Sequence, residues 1–474
     1  MANMSGNTDG IPEELRAKVD KHLEPFTLSL EKLKDISIRF KDEMKKGLGK
    51  TTHHKACVKM LPTFVRATPD GTEKGDFLAL DLGGTNFRVL HVQVKEQKVV
   101  KMDSQSCAIP QEIMVGPGKQ LFDHIAACLS KFLDTQNLKG KTLPLGFTFS
   151  FPCEQKEIDK SILIRWTKGF NCSGVEGKDV VKLLKMAIQR RGDFNIDSVA
   201  MVNDTVGTMM SCGYPDSNCE IGMIIGTGTN ACYMEDIKNV QRVVGEDGQM
   251  CINTEWGGFG DDNALNDILT EIDFEVDRTS INPGVHTFEK MISGMYLGDI
   301  VCLMLKKLAE EKLLFKGQVS DALRTPGKFE TKFLSDIEKP RSGLENAKRI
   351  LNSLDLKWDL TDLHVVQLVC DTISKRSADL CAACLATLAN RIRTNRGLEK
   401  LKTTVGVDGT VYRKHPNFST KLEERVKELA PQCEISFLIS EDGSGKGAAM
   451  VTAVAQRLAR QSRLLDSDDD GDNS

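Results

Sequence analysis

Residues 76–90, DFLALDLGGTNFRVL, run from an apolar stretch into a glycine turn closed by Thr-Asn and out into a second apolar stretch. The same figure recurs at residues 219–233, CEIGMIIGTGTNACY. Each reads as strand, turn, strand. Glycine in such a turn lets backbone N–H groups point at an anion with no Cβ in the way, and a threonine hydroxyl adds a donor. Two phosphate-cradling hairpins imply a nucleoside triphosphate. Between them lies VAMVNDTVGTMM, residues 199–210, in which Asp204 follows a buried-type apolar run. That placement suggests a catalytic base facing the nucleotide, with a helix N-cap as the plainer alternative.

Working outward, strands and helices alternate from residue 75 to residue 151 and again from residue 199, which predicts two α/β lobes around a cleft. The paired hairpins look like a remote internal duplication. Residues 262–396 read as mostly helical. Near the amino terminus Leu15, Val19, Leu23, Phe26, Leu30, Leu33, Ile36 and Phe40 recur at helical spacing, as one long helix or as two broken near Pro25.

The 474 residues allow roughly three domains of about 150 residues each. A net charge of -4 excludes a general attraction to nucleic acid. No apolar run approaches the roughly 20 residues that span a bilayer. The opening MANMSGNTDG is too polar for a membrane anchor or a secretory leader. The 14 scattered cysteines fit a reducing cytosol, and Cys381 and Cys384 read as core packing without a second pair to complete a zinc site. The tail LLDSDDDGDNS imitates the opening of a calcium loop but lacks its closing glutamate. DGSGKGAA, residues 442–449, lacks the hydroxyl residue that follows the lysine of a P-loop.

The ordered set DLGGTNFR, LGFTFSFP, WTKGF, VNDTVGTM, GTGTNACY, NTEWGGFG and GSGKGAA resembles the hexokinase family from about residue 11 to about residue 458. The resemblance implies an α/β, two-lobed actin-like sugar-kinase fold, with a small and a large lobe and extra helices. It divides the chain into a disordered start (1–11), a helical segment on the large lobe (12–69), a small lobe (70–202), a large lobe (203–442), a helix returning to the small lobe (443–462) and a disordered acidic tail (463–474). The implied activity is ATP-dependent phosphorylation of the 6-hydroxyl of glucose and related hexoses, with lobe closure on sugar.

Asp204 is then the general base and Lys168 the cation beside the transferring group. Around the sugar the resemblance places Ser150, Phe151, Thr167, Lys168, Asn203, Asp204, Asn230, Glu255 and Glu289, a set of fixed carboxylates, carboxamides and hydroxyls suited to a ring of hydroxyls. For ATP it implies Asp81, Leu82, Gly83, Gly84, Thr85 and Asn86 in the first loop and Thr227 and Gly228 in the second. Further nucleotide contacts fall on Gly294, Met295, Thr331, Lys332, Phe333, Leu334, Ser335, Thr410, Gly443, Ser444 and Gly445. Asp81 organises Mg2+ through water.

Three positions depart from the family pattern: Gly258 stands where alanine is usual, Pro326 where arginine is usual, and Thr229 where relatives carry serine or cysteine. The Gly258 change is expected to matter little, and Pro326 removes a cation beside the adenosine contacts. Length fits a single-unit glucokinase arrangement, whereas FSFPCEQ and SEDGSGKGAA look closer to the catalytic halves of duplicated hexokinases, so the subtype stays open. A cytosolic monomer is expected. The competing readings are a catalytically weak sugar sensor acting through a partner and a sugar-independent ATPase.

Overall fold

In the computed structural model, residues 10–469 are described, other than 84, 85, 96, 97, 167, 168, 244–246 and 442; the side chains of residues 98, 100, 444 and 462–469 also lie outside the description.

Strand Gly75–Leu82 alternates its apolar side chains between two cores, as a period of two requires when both faces are covered. Leu78, Leu80 and Leu82 join one core with helices Gly118–Thr135 and Val180–Arg191, while Phe77 and Ala79 join another with helix Asp204–Gly213 and the C-terminal helix Gly443–Asp469. The strand pairs antiparallel with Asn86–Lys95 and parallel with Leu143–Phe149. Its sheet runs in the order Lys98–Ala108, Asn86–Lys95, Gly75–Leu82, Leu143–Phe149, Ile196–Val202.

The second sheet repeats that order and sense. Gln249–Asn253, Thr229–Asp236, Cys219–Ile225, Leu401–Asp408 and Cys433–Ile439 follow one another, with Leu61–Pro62 added at the edge. Cys219–Ile225 pairs antiparallel with its hairpin partner and parallel with Leu401–Asp408, as Gly75–Leu82 does in the first sheet. The expected duplication is therefore visible in topology.

The amino-terminal segment is two helices, Glu13–Leu23 and Leu30–Leu48, separated by the short turn Glu24–Phe26 that holds Pro25. Ser29 caps the second, its hydroxyl accepting the Lys32 N–H at 3.1 Å. Leu33, Ile36, Phe40 and Met44 are fully buried in the large core beside helix Leu360–Asn395. Cys381 and Cys384 are buried in that long helix, and every cysteine is free. Among the described residues no helix is long and apolar enough to cross a membrane.

The C-terminal helix lies against Asp204–Gly213 and against the first sheet. Glycines make this approach possible: a methyl on Gly447 would stand 1.8 Å from the Gly207 carbonyl oxygen, and one on Gly146 would stand 2.2 Å from that of Ala448. The chain after Cys433–Ile439 thus returns across the helix that begins with Asp204 to the first sheet.

Candidate active site

The two hairpin turns open at one end of their sheets. In the first, Asp81 is in register with Arg88, and Arg88 Nη2 donates to Asp81 Oδ2 at 3.0 Å. Ser150 N donates to the Leu82 carbonyl at 3.0 Å, which sets Ser150 beside the turn; a methyl on Gly83 would be 3.6 Å from its hydroxyl. Asn86 begins the outgoing strand. Gly84 and Thr85 lie outside the described residues. Gly443 faces the same place, for a methyl there would stand 3.2 Å from Asp408 Oδ2 and 3.8 Å from Arg88 Nη2. Gly445 packs on Leu90, and the Ser444 side chain is outside the description.

The second turn is closed by Gly226 N donating to Gly228 O at 2.9 Å. Gly294 N donates to Gly226 O at 2.7 Å and Met295 N to Thr227 O at 3.1 Å. Thr331 Oγ1 donates to Gly294 O at 2.6 Å and accepts from Gly298 N at 2.9 Å. A methyl on Gly226 would lie 3.6 Å from Thr410 N, and Gly409, at φ +109°, keeps a conformation in which a Cβ would meet the Ile225 carbonyl at 2.2 Å. Thr227, Gly228, Gly294, Met295, Thr331 and Thr410 therefore form one continuous surface. Lys332 is exposed and pairs with Glu330 at 2.8 Å, Phe333 packs edge-on against Phe329, and Ser335 Oγ turns back to the Thr331 carbonyl. Leu334 is fully buried in the large core, so only its backbone is available to a ligand.

On the other side of the second turn the polar residues gather. The cap of helix Asp204–Gly213 is Asn203, whose Oδ1 accepts from Thr205 N at 2.9 Å and Thr205 Oγ1 at 2.7 Å. Asp204 is thus the first helical residue rather than the cap, and its Oδ1 accepts the Thr205 N–H at 2.9 Å. Asn230 Nδ2 donates to Asn253 Oδ1 at 2.8 Å and to Glu255 Oε1 at 3.2 Å, and Asn253 Nδ2 donates to the same Glu255 oxygen at 2.7 Å. Glu289 Oε2 accepts the Thr229 N–H at 3.0 Å, and its other oxygen lies 3.3 Å from His286 Nδ1.

Burial pushes the Glu255 carboxyl up, and the nearby charges of Asp204 and Glu289 add to that, against the Asn253 hydrogen bond and the charge of His286. His286 is raised by its bond to Glu289 in spite of burial. Asn203, Phe151, Asn253 and Glu255 share a cavity of about 30 Å3. Phe151 is held among Phe149, Trp166 and Phe170, with ring centroids 4.8–5.0 Å away. Thr167 and Lys168 lie outside the described residues, between Trp166, whose indole donates to Cys172 O at 2.9 Å, and Gly169.

The three departures have distinct structural settings. Thr229 Oγ1 accepts the indole N–H of the fully buried Trp256 at 3.0 Å, so a hydroxyl satisfies a buried donor there. Pro326 and Gly327 occupy the corner of a turn closed by Lys328 N to Thr325 O, directly after helix Asp321–Arg324, and Gly327 N donates to Asp299 Oδ1 at 2.8 Å on helix Leu297–Glu310. A methyl on Gly258 would stand 2.7 Å from the Cys57 carbonyl oxygen, a backbone contact, so alanine at that position needs a local shift of the two segments.

Sequence reasoning missed Arg88, Asp408, Asn253 and His286. Asn253 was open to discovery, because it stands two residues before Glu255 at the end of strand Gln249–Asn253. Asp408 ends strand Leu401–Asp408, whose parallel pairing sets it beside Ile224 of the second hairpin, and its carboxylate faces Gly443, so its place in the site follows from elements far apart in the chain.

Family models described as Hexokinase match residues 18–214 and 220–454. Human Hexokinase-2 is 59% identical over 448 residues, which cover 94% of this chain and 49% of that protein. Human Hexokinase-1 is 56% identical over 451 residues, covering 95% and 49%. The chain spans about half the length of these curated relatives. Among solved structures, a hexokinase from Schistosoma mansoni complexed with glucose is 41% identical with a TM-score of 0.83, covering 93% of this chain and 99% of that one. A second hexokinase crystal structure is 32% identical with a TM-score of 0.81 over the same shares. With its ordered motifs, two matching sheets and both family models in place, the chain belongs to the hexokinase family.

Proposed function

We propose that this chain transfers the γ-phosphoryl group of MgATP to the 6-hydroxyl of glucose and related hexoses. One relationship carries the reading: the Gly226–Gly228 turn has backbone surface for phosphate on one side, and on the other its next residue, Thr229, holds Glu289 within a group of carboxylates and carboxamides.

Asn230, Glu255 and Glu289, with Asn203 and Ser150, offer both acceptors and donors to a ring of hydroxyls. Asp204, on the first turn of a helix that starts between the two sheets, accepts the proton of the attacking hydroxyl. Lys168, placed by its motif, adds positive charge to the transferring group, with Thr167 on the sugar. Asp81, near the end of its strand, would hold Mg2+ through water, and the ion would neutralise phosphate charge when bound with ATP. Phosphate lies over residues 81–86, 227–228 and 443–445, and the nucleoside over Gly294, Met295, residues 331–335 and Thr410.

The lobes are residues 70–202 and 203–442, with residues 12–69 on the large lobe and helix 443–462 returning to the small one. Closure on sugar excludes water, the competing acceptor. A cytosolic monomer fits this reading. The test is ADP formation with saturating MgATP across a wide glucose range and in its absence. A sugar-dependent rate supports the proposal, and an ADP rate indifferent to sugar sinks it.

A further inference from the structure

Helices Thr331–Ile337 and Thr410–Lys414 have seven and five residues, too few to hold themselves in water. Their first residues nevertheless meet around one turn. Thr331 reaches Gly226 through Gly294, and Thr410 N lies 3.6 Å from where a methyl on Gly226 would stand. The Gly294 side of this junction also touches Val411, whose Cγ2 would be 2.9 Å from a methyl on that glycine.

The far ends of the two helices are joined by a buried polar cluster. Glu338 follows the first helix and His415 follows the second, and both are buried. His415 Nε2 lies 3.1 Å from Glu338 Oε1. Asn417 N donates to His415 Nδ1 at 3.2 Å, which leaves Nε2 as the ring nitrogen that donates to Glu338. Ser374 Oγ donates to the same carboxylate oxygen at 2.6 Å, and Lys421 Nζ donates to the other at 2.7 Å and pairs with Asp371 at 2.9 Å. Burial disfavours the ionised Glu338, but the His415 bond and the Lys421 charge outweigh it and hold the carboxyl down at about 2. An apolar pair would join the helices with less desolvation, whereas these directional bonds define one spacing.

We infer that Glu338 and His415 are positioning residues for the nucleotide, their buried bond setting the separation of the two short helices whose first residues flank the Gly226 turn. The pair acts through Thr331 and Thr410 and does not touch substrate. The inference rests on the proposed MgATP role of that face.

The test measures binding of Mg2+ with a non-hydrolysable ATP analogue and, separately, of glucose by tryptophan fluorescence. His415→Ala weakens the nucleotide analogue about tenfold and leaves glucose within about twofold, the size expected for lost buried hydrogen bonds. His415→Gln, which keeps an N–H donor, recovers most of the loss. Nucleotide binding within about twofold of wild type, or glucose weakened in parallel, overturns the inference. If His415→Ala does not fold, Ser374→Ala removes one donor from the same oxygen and is read the same way, with an expected loss of about threefold. Absence of sugar-dependent turnover in a wild type that binds both ligands sinks the proposed activity alone. Absence of nucleotide binding to the wild type sinks both.

Discussion

Glu289 Oε2 accepts the backbone N–H of Thr229 at 3.0 Å, so a carboxylate among the sugar-facing groups is hydrogen-bonded to the turn assigned to phosphate. The bond spans 60 residues of chain. It makes the order of the second turn and the position of Glu289 a single property.

Gly228→Ala tests that coupling. Its methyl would stand 2.7 Å from Glu289 Oε2, the far end of a flexible side chain, so the carboxylate moves and the backbone does not. The expected result is a KM for glucose raised about five- to tenfold, the cost of roughly one hydrogen bond, with little change in melting temperature. Steady-state kinetics at saturating MgATP read the first and thermal denaturation the second.

Asp204→Ala separates binding from chemistry. Because Asn203 and not Asp204 caps the helix, the fold survives the substitution. Turnover falls by about 10²–10⁴-fold, as for loss of a general base, while glucose still binds. Unchanged kcat removes Asp204 from the proton-accepting role.

Glu255→Gln tests the electrostatics of the sugar side. The folded carboxyl is held above its ordinary value of 4.5, chiefly by burial. In the window just above 4.5 the folded chain therefore binds more protons than the unfolded chain, and this group's contribution to stability falls as pH rises through that window. Without sugar, the variant melts no lower than wild type near neutral pH and shows a flatter decline as pH rises above about 4.5. Its glucose affinity falls about tenfold or more, because a charged acceptor is lost. A lower melting temperature for the sugar-free variant at neutral pH contradicts the assignment.

Gly447→Ala probes the crossing of the C-terminal helix over the Asp204 helix. A methyl 1.8 Å from the Gly207 carbonyl cannot be accommodated without separating the two backbones. We expect about 1–3 kcal/mol of lost stability from overpacking, together with reduced kcat, because the helix that bears Asp204 is displaced. In the wild type, glucose strengthens hydrogen-exchange protection of residues 443–462; unchanged protection at saturation argues against movement of this helix with closure.

Much of the architecture was legible in the chain itself. The two glycine turns, the alternating apolar strands that flank them and Asp204 after its apolar run are local signals, carried by short spacings, whereas Asn230 and Glu255 were reached only through the family resemblance. Pro25 marked the interruption between the first helices, although only the folded chain showed two helices there and not a kinked one. The ordered motifs also carried the family.

Tertiary structure decided what no short spacing records. Asn203 takes the cap because its oxygen reaches Thr205, which places Asp204 inside the helix. Asp408 and Arg88 come to Gly443 from different sheets, and Glu338 meets His415 over 77 residues of chain. Such pairs follow from the need of buried charges and donors to find partners wherever the packed elements bring them. The sequence supplied those groups, and the cost of burying each one unpaired selected its companion.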